Sequence, residues 1–267
     1  MPVCLAAAIA AVAGFPLYWM IVTALQTGRD VFAWPPHLLP NLATIGAFSH
    51  LFETLPVLDW IGHSTIVAGG TALVAVMLSV PGAYSLSRFR RRGWPSVGFI
   101  ILLTQMIPGV VIIAPLFILF RALHLLNTFT GLIAVEVCFT APVVLWIVKG
   151  FFDTIPMEIE EAAWIDGCSL TRTLLLIALP LAVPAIGGAL AIAFFAAWND
   201  YLFPLVLVSD QSHWVASVGV ASWIGELTVP IDRVMAGGVI FAAPSVLLFA
   251  YLQRFLVLST AKMGSIR

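Results

Sequence analysis

Five of the thirteen acidic residues fall in one polar stretch: Asp153, Glu158, Glu160, Glu161 and Asp166, with only Lys149 and Arg172 nearby to offset them. Pro156 suits a helix's first turn, and Glu158, Glu160 and Glu161 complement the positive end of its dipole. Gly167 sits where a helix ends through a left-handed residue, and Ser169 can cap a following helix, Leu170 to Leu179, before Pro180. The spacing therefore predicts a helix-turn-helix within residues 150–180. Ile159, Ala162 and Ala163 share a face of its first helix, while Glu161, Trp164 and Ile165 project from neighbouring positions. Two adjacent alanines leave room for another backbone, so the helix suits a groove on a soluble protein. The competing reading lays it on its own bundle or on lipid headgroups, where anionic lipids would repel its five acids.

The rest of the chain is poor in reactive constellations. Its only lysines, Lys149 and Lys262, lie in no glycine-rich phosphate loop, and no Gly-x-Ser-x-Gly elbow occurs. His37, His50, His63, His124 and His213 never fall at metal-ligand spacing, and Cys4, Cys138 and Cys168 lack the even count of a disulfide framework. No catalytic or metal site is expected, and no basic stripe with interleaved aromatics points to nucleic acid. Glu136 is the main charge inside an apolar run, about 7.5 Å from that run's outer edge at 1.5 Å per residue. It either lines an aqueous cavity or snorkels to the interface. Asn199 and Asp200, after Trp198, either hydrogen-bond a polyol or fix the end of a broken helix.

The elements that must position these groups follow from composition. With 61% hydrophobic and 9% charged residues in 267, and a mean hydropathy of +1.07, the chain lacks the polar surface to cover a core in water. That excludes a soluble enzyme. A hydrocarbon layer of about 30 Å needs about 20 apolar residues per helix, and six runs qualify: about 3–25, 61–86, 95–119, 131–148, 181–208 and 234–256. The expected fold is all-α, a single membrane domain over 1–267. With cytoplasmic termini, the inner side holds Arg88, Arg90, Arg91, Arg92, Lys149, Arg172, Arg254, Lys262 and Arg267, against Arg29, Arg121 and Arg233 outside, which satisfies the positive-inside bias. The 150–180 loop is then cytoplasmic. Ala11-Val12-Ala13-Gly14 fits a signal-peptidase site, but the uncharged start and apolarity continuing to Leu25 favour an uncleaved helix. Pro35, Pro36, Pro40 and Pro56 suit an extended outer loop over Gln26–Trp60. Ala185, Ala189, Ala193 and Ala197 form a small-residue stripe that predicts a close helix-packing seam.

Glu161-Ala162-Ala163, three residues, Gly167, nine residues, Ile177-x-Leu179-Pro180 resembles the loop signature of binding-protein-dependent ABC importer permeases. Ala83-Tyr-Ser-Leu-Ser-Arg88, Gln105-Met-Ile-Pro108, Leu126-Asn-Thr128 with Gly131-Leu-Ile, and Trp198-Asn-Asp200-Tyr-Leu extend the resemblance over most of the chain and towards the carbohydrate, maltose-type group. A missing basic N-terminal tail, Cys168 in place of alanine and the charge at Glu136 depart from that pattern. The resemblance implies a six-helix bacterial inner-membrane subunit, embedded in membrane lipid, that pairs with a homologous permease, two ATPase subunits and an extracytoplasmic solute-binding protein, and that forms half of the pathway for a sugar-like solute. ATP and magnesium would belong to the ATPase, with no cofactor in this chain. Met157–Asp166 would be the coupling helix, contacting the ATPase through Glu160, Glu161, Ala162, Ala163, Trp164, Asp166 and Gly167, with Glu161 as the ion-pairing group. Gln105, Glu136, Asn199 and Asp200 are the translocation-pathway candidates. Glycerol phosphate, amino sugars and oligosaccharides all stay open as solutes. The competing class is an ion-driven transporter, which would work alone and respond to replacement of Glu136.

Overall fold

The computed structural model describes residues 2–28, 30–40, 43–89, 94–224 and 231–264. Arg29, Arg90, Arg91, Arg92 and Arg267, all counted in the charge asymmetry above, lie outside the described residues. The helices are α1 (Pro2–Ala24), α2 (Gly46–Thr54), α3 (Val57–Arg88), α4 (Trp94–Thr104), α5 (Gly109–Ala122), α6 (Phe129–Phe152), α7 (Met157–Ile165), α8 (Leu170–Thr173), α9 (Leu179–Asn199), α10 (Leu202–Leu207), α11 (Ala216–Ile224) and α12 (Ile231–Gly264). Among the described residues, five helical stretches are long and apolar enough to cross a membrane, and the bent pair α4–α5 makes six if counted as one broken span.

Three elements differ from the sequence expectation, each for a backbone reason. The third run, expected as one span over 95–119, breaks at Gln105–Pro108, and its halves are bent by 88°. Pro108 caps α5 in an extended conformation; it donates no N–H and disfavours helix at Ile107 before it. The fifth run, expected over 181–208, ends at Asn199. Asp200 is extended at φ −67°, ψ 136°, and its Oδ2 accepts the Phe203 N–H at 3.0 Å, which starts α10 as a separate helix. The second loop helix, expected to stop before Pro180, instead runs on into the membrane. Ser169 caps it, its hydroxyl accepting the Arg172 N–H, and Leu174–Ala178 widen into a π turn in which the Leu179 N–H donates to Leu174 O. That wider turn re-registers the hydrogen bonds ahead of Pro180, so helix is continuous over 30 residues, Leu170–Asn199. In the 26–60 loop, α2 is a helix that the prolines gave no sign of.

The helices form two compact units, Met1–His63 with Trp214–Val246, and Ser64–His213 with Leu247–Arg267. In the first, Leu51, Trp60, Ala216, Trp223 and Ala236 form the core. Gly219 is needed there, because a Cβ would run into the Trp60 ring. In the second, Ala75, Val80 and Tyr84 of α3, Val137, Val144 and Phe152 of α6, and Ala182, Ala189 and Ala193 of α9 share one core. The alanine stripe thus packs inside its own chain: Ala189 and Ala193 are fully buried in that core, beside α6. Small side chains bring the two helices close, where packing replaces the hydrophobic effect as the driving force.

Candidate functional site

Two arrangements in the second unit carry the chemistry-bearing residues. The first is the loop after α6. Thr128 caps α6, accepting the Gly131 N–H, and the helix runs to Phe152 before Pro156 opens α7 with Glu158 and Glu160 in its first turn. Gly167 ends the element at φ +87°, a left-handed conformation that costs an L side chain about 1–2 kcal/mol. Glu161, Ala162, Trp164, Ile165, Asp166 and Gly167 are exposed, whereas Glu160 and Ala163 are buried.

Glu160 takes a different place from the one expected of it. Its side chain is 0% exposed and ion-paired to Arg88, itself only 6% exposed, with Nη2 to Oε1 at 2.7 Å. Arg88 Nε donates to the same oxygen at 2.7 Å, the Tyr84 hydroxyl donates to Oε2 at 2.6 Å, and Arg88 Nη2 donates to Ile155 O at 3.2 Å. A group so enclosed has no surface left for a direct contact with a soluble partner. Its geometry is that of an anchor, fastening α7 to the end of α3, while Glu161 one residue on points outward. Tyr84 and Arg88 were visible in the sequence only as part of a motif and a charge count. Their i, i+4 spacing, which sets both on one helix face, was the available signal. A second, outer clip joins the end of α3 to the end of α6: Ser87 Oγ donates to Asp153 Oδ1 at 2.7 Å, and Lys149 Nζ pairs with Oδ2 at 2.6 Å. Burial pushes the Asp153 carboxyl up, but the hydrogen bonds from Lys149 and Ser87 outweigh it, and the net result lies below the usual carboxylate range.

The second arrangement is a cavity of about 510 Å³, opened by the two helix breaks. The α4–α5 bend supplies Gln105 and Pro108, α6 supplies Glu136, Phe139 and Thr140, α9 supplies Ala193 and Ala196, and the α9–α10 break supplies Asp200 and Phe203. Gln105 Nε2 donates to Phe139 O at 3.2 Å, which ties the bend to α6. Glu136 is 4% exposed, and Asp200 lines the same cavity. Glu136 thus stands among the cavity's lining residues. Asn199 falls outside the cavity lining; its Nδ2 donates to Phe195 O at 2.8 Å within its own helix. Asp200 both caps α10 and faces the cavity. Asn127, too, was visible in the sequence only as part of a motif. At φ 56°, its Oδ1 accepts from the backbone N–H of Ser209 at 2.8 Å and of Asp210 at 3.0 Å, pinning the loop after α10 to the α5–α6 turn.

Apolar helices of bilayer length, a clamped loop helix and a polar cavity among broken helices are the features of a multi-pass membrane protein. The chain belongs to the family of binding-protein-dependent transport system inner membrane components, which matches residues 75–262. It is similar to the inner membrane ABC transporter permease protein YcjP of Escherichia coli (strain K12), at 32% identity over 244 residues, 91% of this chain and 87% of that one. It is similar to the trehalose/maltose transport system permease protein MalG of Thermococcus litoralis, at 30% identity over 246 residues, 91% and 88%. In fold it resembles a chain of a bacterial ABC transporter involved in the import of the acidic polysaccharide alginate, with a TM-score of 0.82 at 23% identity, covering 95% and 94%. The chain is thus a non-enzymatic, multi-pass permease component of the inner membrane. Family membership sets aside the ion-driven transporter that works alone.

Proposed function

We propose that this permease forms half of the translocation pathway of an ATP-driven importer for a sugar or related polyol. It would pair with a homologous permease and draw its energy from two ATPase subunits through α7. ATP and magnesium sit on those ATPases; nothing in this sequence offers a phosphate loop. Solute arrives on an extracytoplasmic binding protein, as the family description implies. The sugar class rests on relatives such as the trehalose/maltose permease and the diacetylchitobiose uptake permease DasC of Streptomyces coelicolor. The charge asymmetry of the loops supports cytoplasmic termini, with α7 on the ATPase side.

The observation that carries the coupling reading is the split personality of α7: Glu160 locked inward at 0% exposure, Glu161 and Ala162 turned outward. One face is fastened to the pore helices and the other is bare, which is what a lever driven from outside requires. ATP-driven closure of the ATPases would move α7, and the permease pair would rock as rigid bodies to expose the solute path to alternate sides. The test is ATPase turnover stimulated by loaded binding protein in the reconstituted assembly. Glu161→Lys and Gly167→Pro, at normal membrane levels, should lose most of that stimulation; full stimulation in both would overturn the assignment. The same assay against a panel of sugars and phosphorylated polyols identifies the solute.

A further inference from the structure

The cavity between the two helix breaks holds a feature that packing does not account for. Glu136 is almost wholly buried, yet no N–H or hydroxyl of the described residues donates to its Oε1. A buried acceptor left without a donor costs about 1–3 kcal/mol. Asp200 lines the same cavity, so its acidic lining is a pair of carboxyl residues. No lysine, arginine or histidine is among the lining residues to neutralise it. The opposite character is also present: Phe139 and Phe203, with ring centroids 4.8 Å apart, give the cavity an apolar wall. Carboxyl oxygens accept from hydroxyl or ammonium hydrogens, aromatic faces cover the C–H side of a sugar ring, and a volume near 510 Å³ is within the range of small-ligand sites.

We infer that this cavity is a solute subsite for neutral or cationic polyhydroxyl compounds, with Glu136 and Asp200 excluding anionic ones. The inference rests on the reading of the chain as an importer permease and narrows it. Two acidic side chains with no cation among the lining residues disfavour carboxylates, sulfonates and phosphates, while the undonated Glu136 Oε1 takes up a hydroxyl donor. Phosphorylated polyols and uronic acids therefore drop out of the candidate solutes, and unacetylated amino sugars and neutral oligosaccharides remain.

The test reads the cavity's charge directly, in the complete importer reconstituted in proteoliposomes. In a background with Cys4, Cys138 and Cys168 changed to serine, Ala196→Cys places one thiol on the lining. Its conversion to a mixed disulfide, with methanesulfinate as the leaving group, is followed with a trimethylammonium-bearing and a sulfonate-bearing methanethiosulfonate, each rate normalised to a free thiol. The cationic reagent should be favoured by about tenfold or more, and the isosteric changes Glu136→Gln and Asp200→Asn should together bring the ratio close to one. Cellobiose and chitobiose, a diglucosamine, should slow this disulfide formation; cellobiouronate should not. Equal normalised rates in the parent, a ratio unmoved by the carboxyl changes, or equal protection by cellobiouronate would each overturn the subsite. Asp200→Asn alone decides the second point if Glu136→Gln fails to assemble. Binding-protein-stimulated ATP hydrolysis in the same vesicles tests the underlying reading separately: intact stimulation with a charge-blind cavity sinks the subsite alone.

Discussion

Asp153 pairs with Lys149 on the neighbouring turn and Glu160 with Arg88 at the end of α3, but burial makes the two bonds unequal. The Lys149–Asp153 pair is open to solvent, with Asp153 43% exposed, and such pairs contribute roughly 0–1 kcal/mol. Arg88 and Glu160 are sealed from water, and removing one partner of a buried pair strands the other, at about 3–5 kcal/mol. Arg88→Ala should therefore lower the thermal unfolding midpoint of the detergent-purified chain far more than Lys149→Ala; comparable shifts would contradict the clamp. Replacing both partners by methionine should recover much of the loss, since no charge is then left buried. The outer clip should respond to pH in one direction only. The Asp153 carboxyl is depressed in the fold, so its contribution is present above the unfolded value of about 3.9, and is lost as pH falls through the folded one. Between neutral pH and pH 5 the difference in stability between the parent and Asp153→Asn should stay constant. At this scale the sequence was legible in residue type and silent on direction. That five acids cluster in one loop is plain from the chain; that Glu160 turns inward while Glu161 turns outward depends on where Arg88 arrives from 72 residues away.

Elements were most legible where the bilayer dictates length. Six apolar runs of about the right size can be counted directly, because a helix in lipid must satisfy every backbone group within itself. The departures are local rearrangements of backbone hydrogen bonding, which hydropathy does not register: the bend at Gln105–Pro108, the π turn at Leu174–Ala178 and the break at Asp200. Only the break at Asp200 was among the sequence readings, as the end of a broken helix; Pro108, which disfavours helix at Ile107, was the signal left unread inside the third run. Gly167 was legible because its job is conformational. At φ +87°, Gly167→Ala should destabilise the loop by about 1–2 kcal/mol and Gly167→Asn by less, since asparagine tolerates that region. Hydrogen exchange of the 157–173 amides measures the difference, and equal protection in the two variants would refute it. The alanine stripe makes an opposite demand, on space. Leucine at both Ala189 and Ala193, each fully buried, should overpack the α6–α9 seam by about 1–3 kcal/mol per site. An unchanged yield and melting midpoint would remove the seam.

Transmission through the whole molecule depends on the two faces of α7 failing separately. If the outward face takes up force and the inward face passes it to α3, damage to each should break a different step. Glu161→Lys leaves the clamp intact, so the chain should fold normally yet respond poorly to its ATPase, and stimulated hydrolysis should fall. The paired change Arg88→Met with Glu160→Met leaves the outward face bare and ready, so hydrolysis should continue. The force would then reach a helix no longer fastened to α3, and solute uptake per ATP hydrolysed should drop severalfold. Measuring uptake and hydrolysis on the same proteoliposomes separates the two defects. A clamp variant with unaltered uptake per ATP would mean that α7 drives the pore by some route other than Tyr84 and Arg88. The continuous helix from Leu170 to Asn199 would then be the alternative rod, since it joins the end of α7, through Gly167 and Ser169, to the Asp200 wall of the cavity.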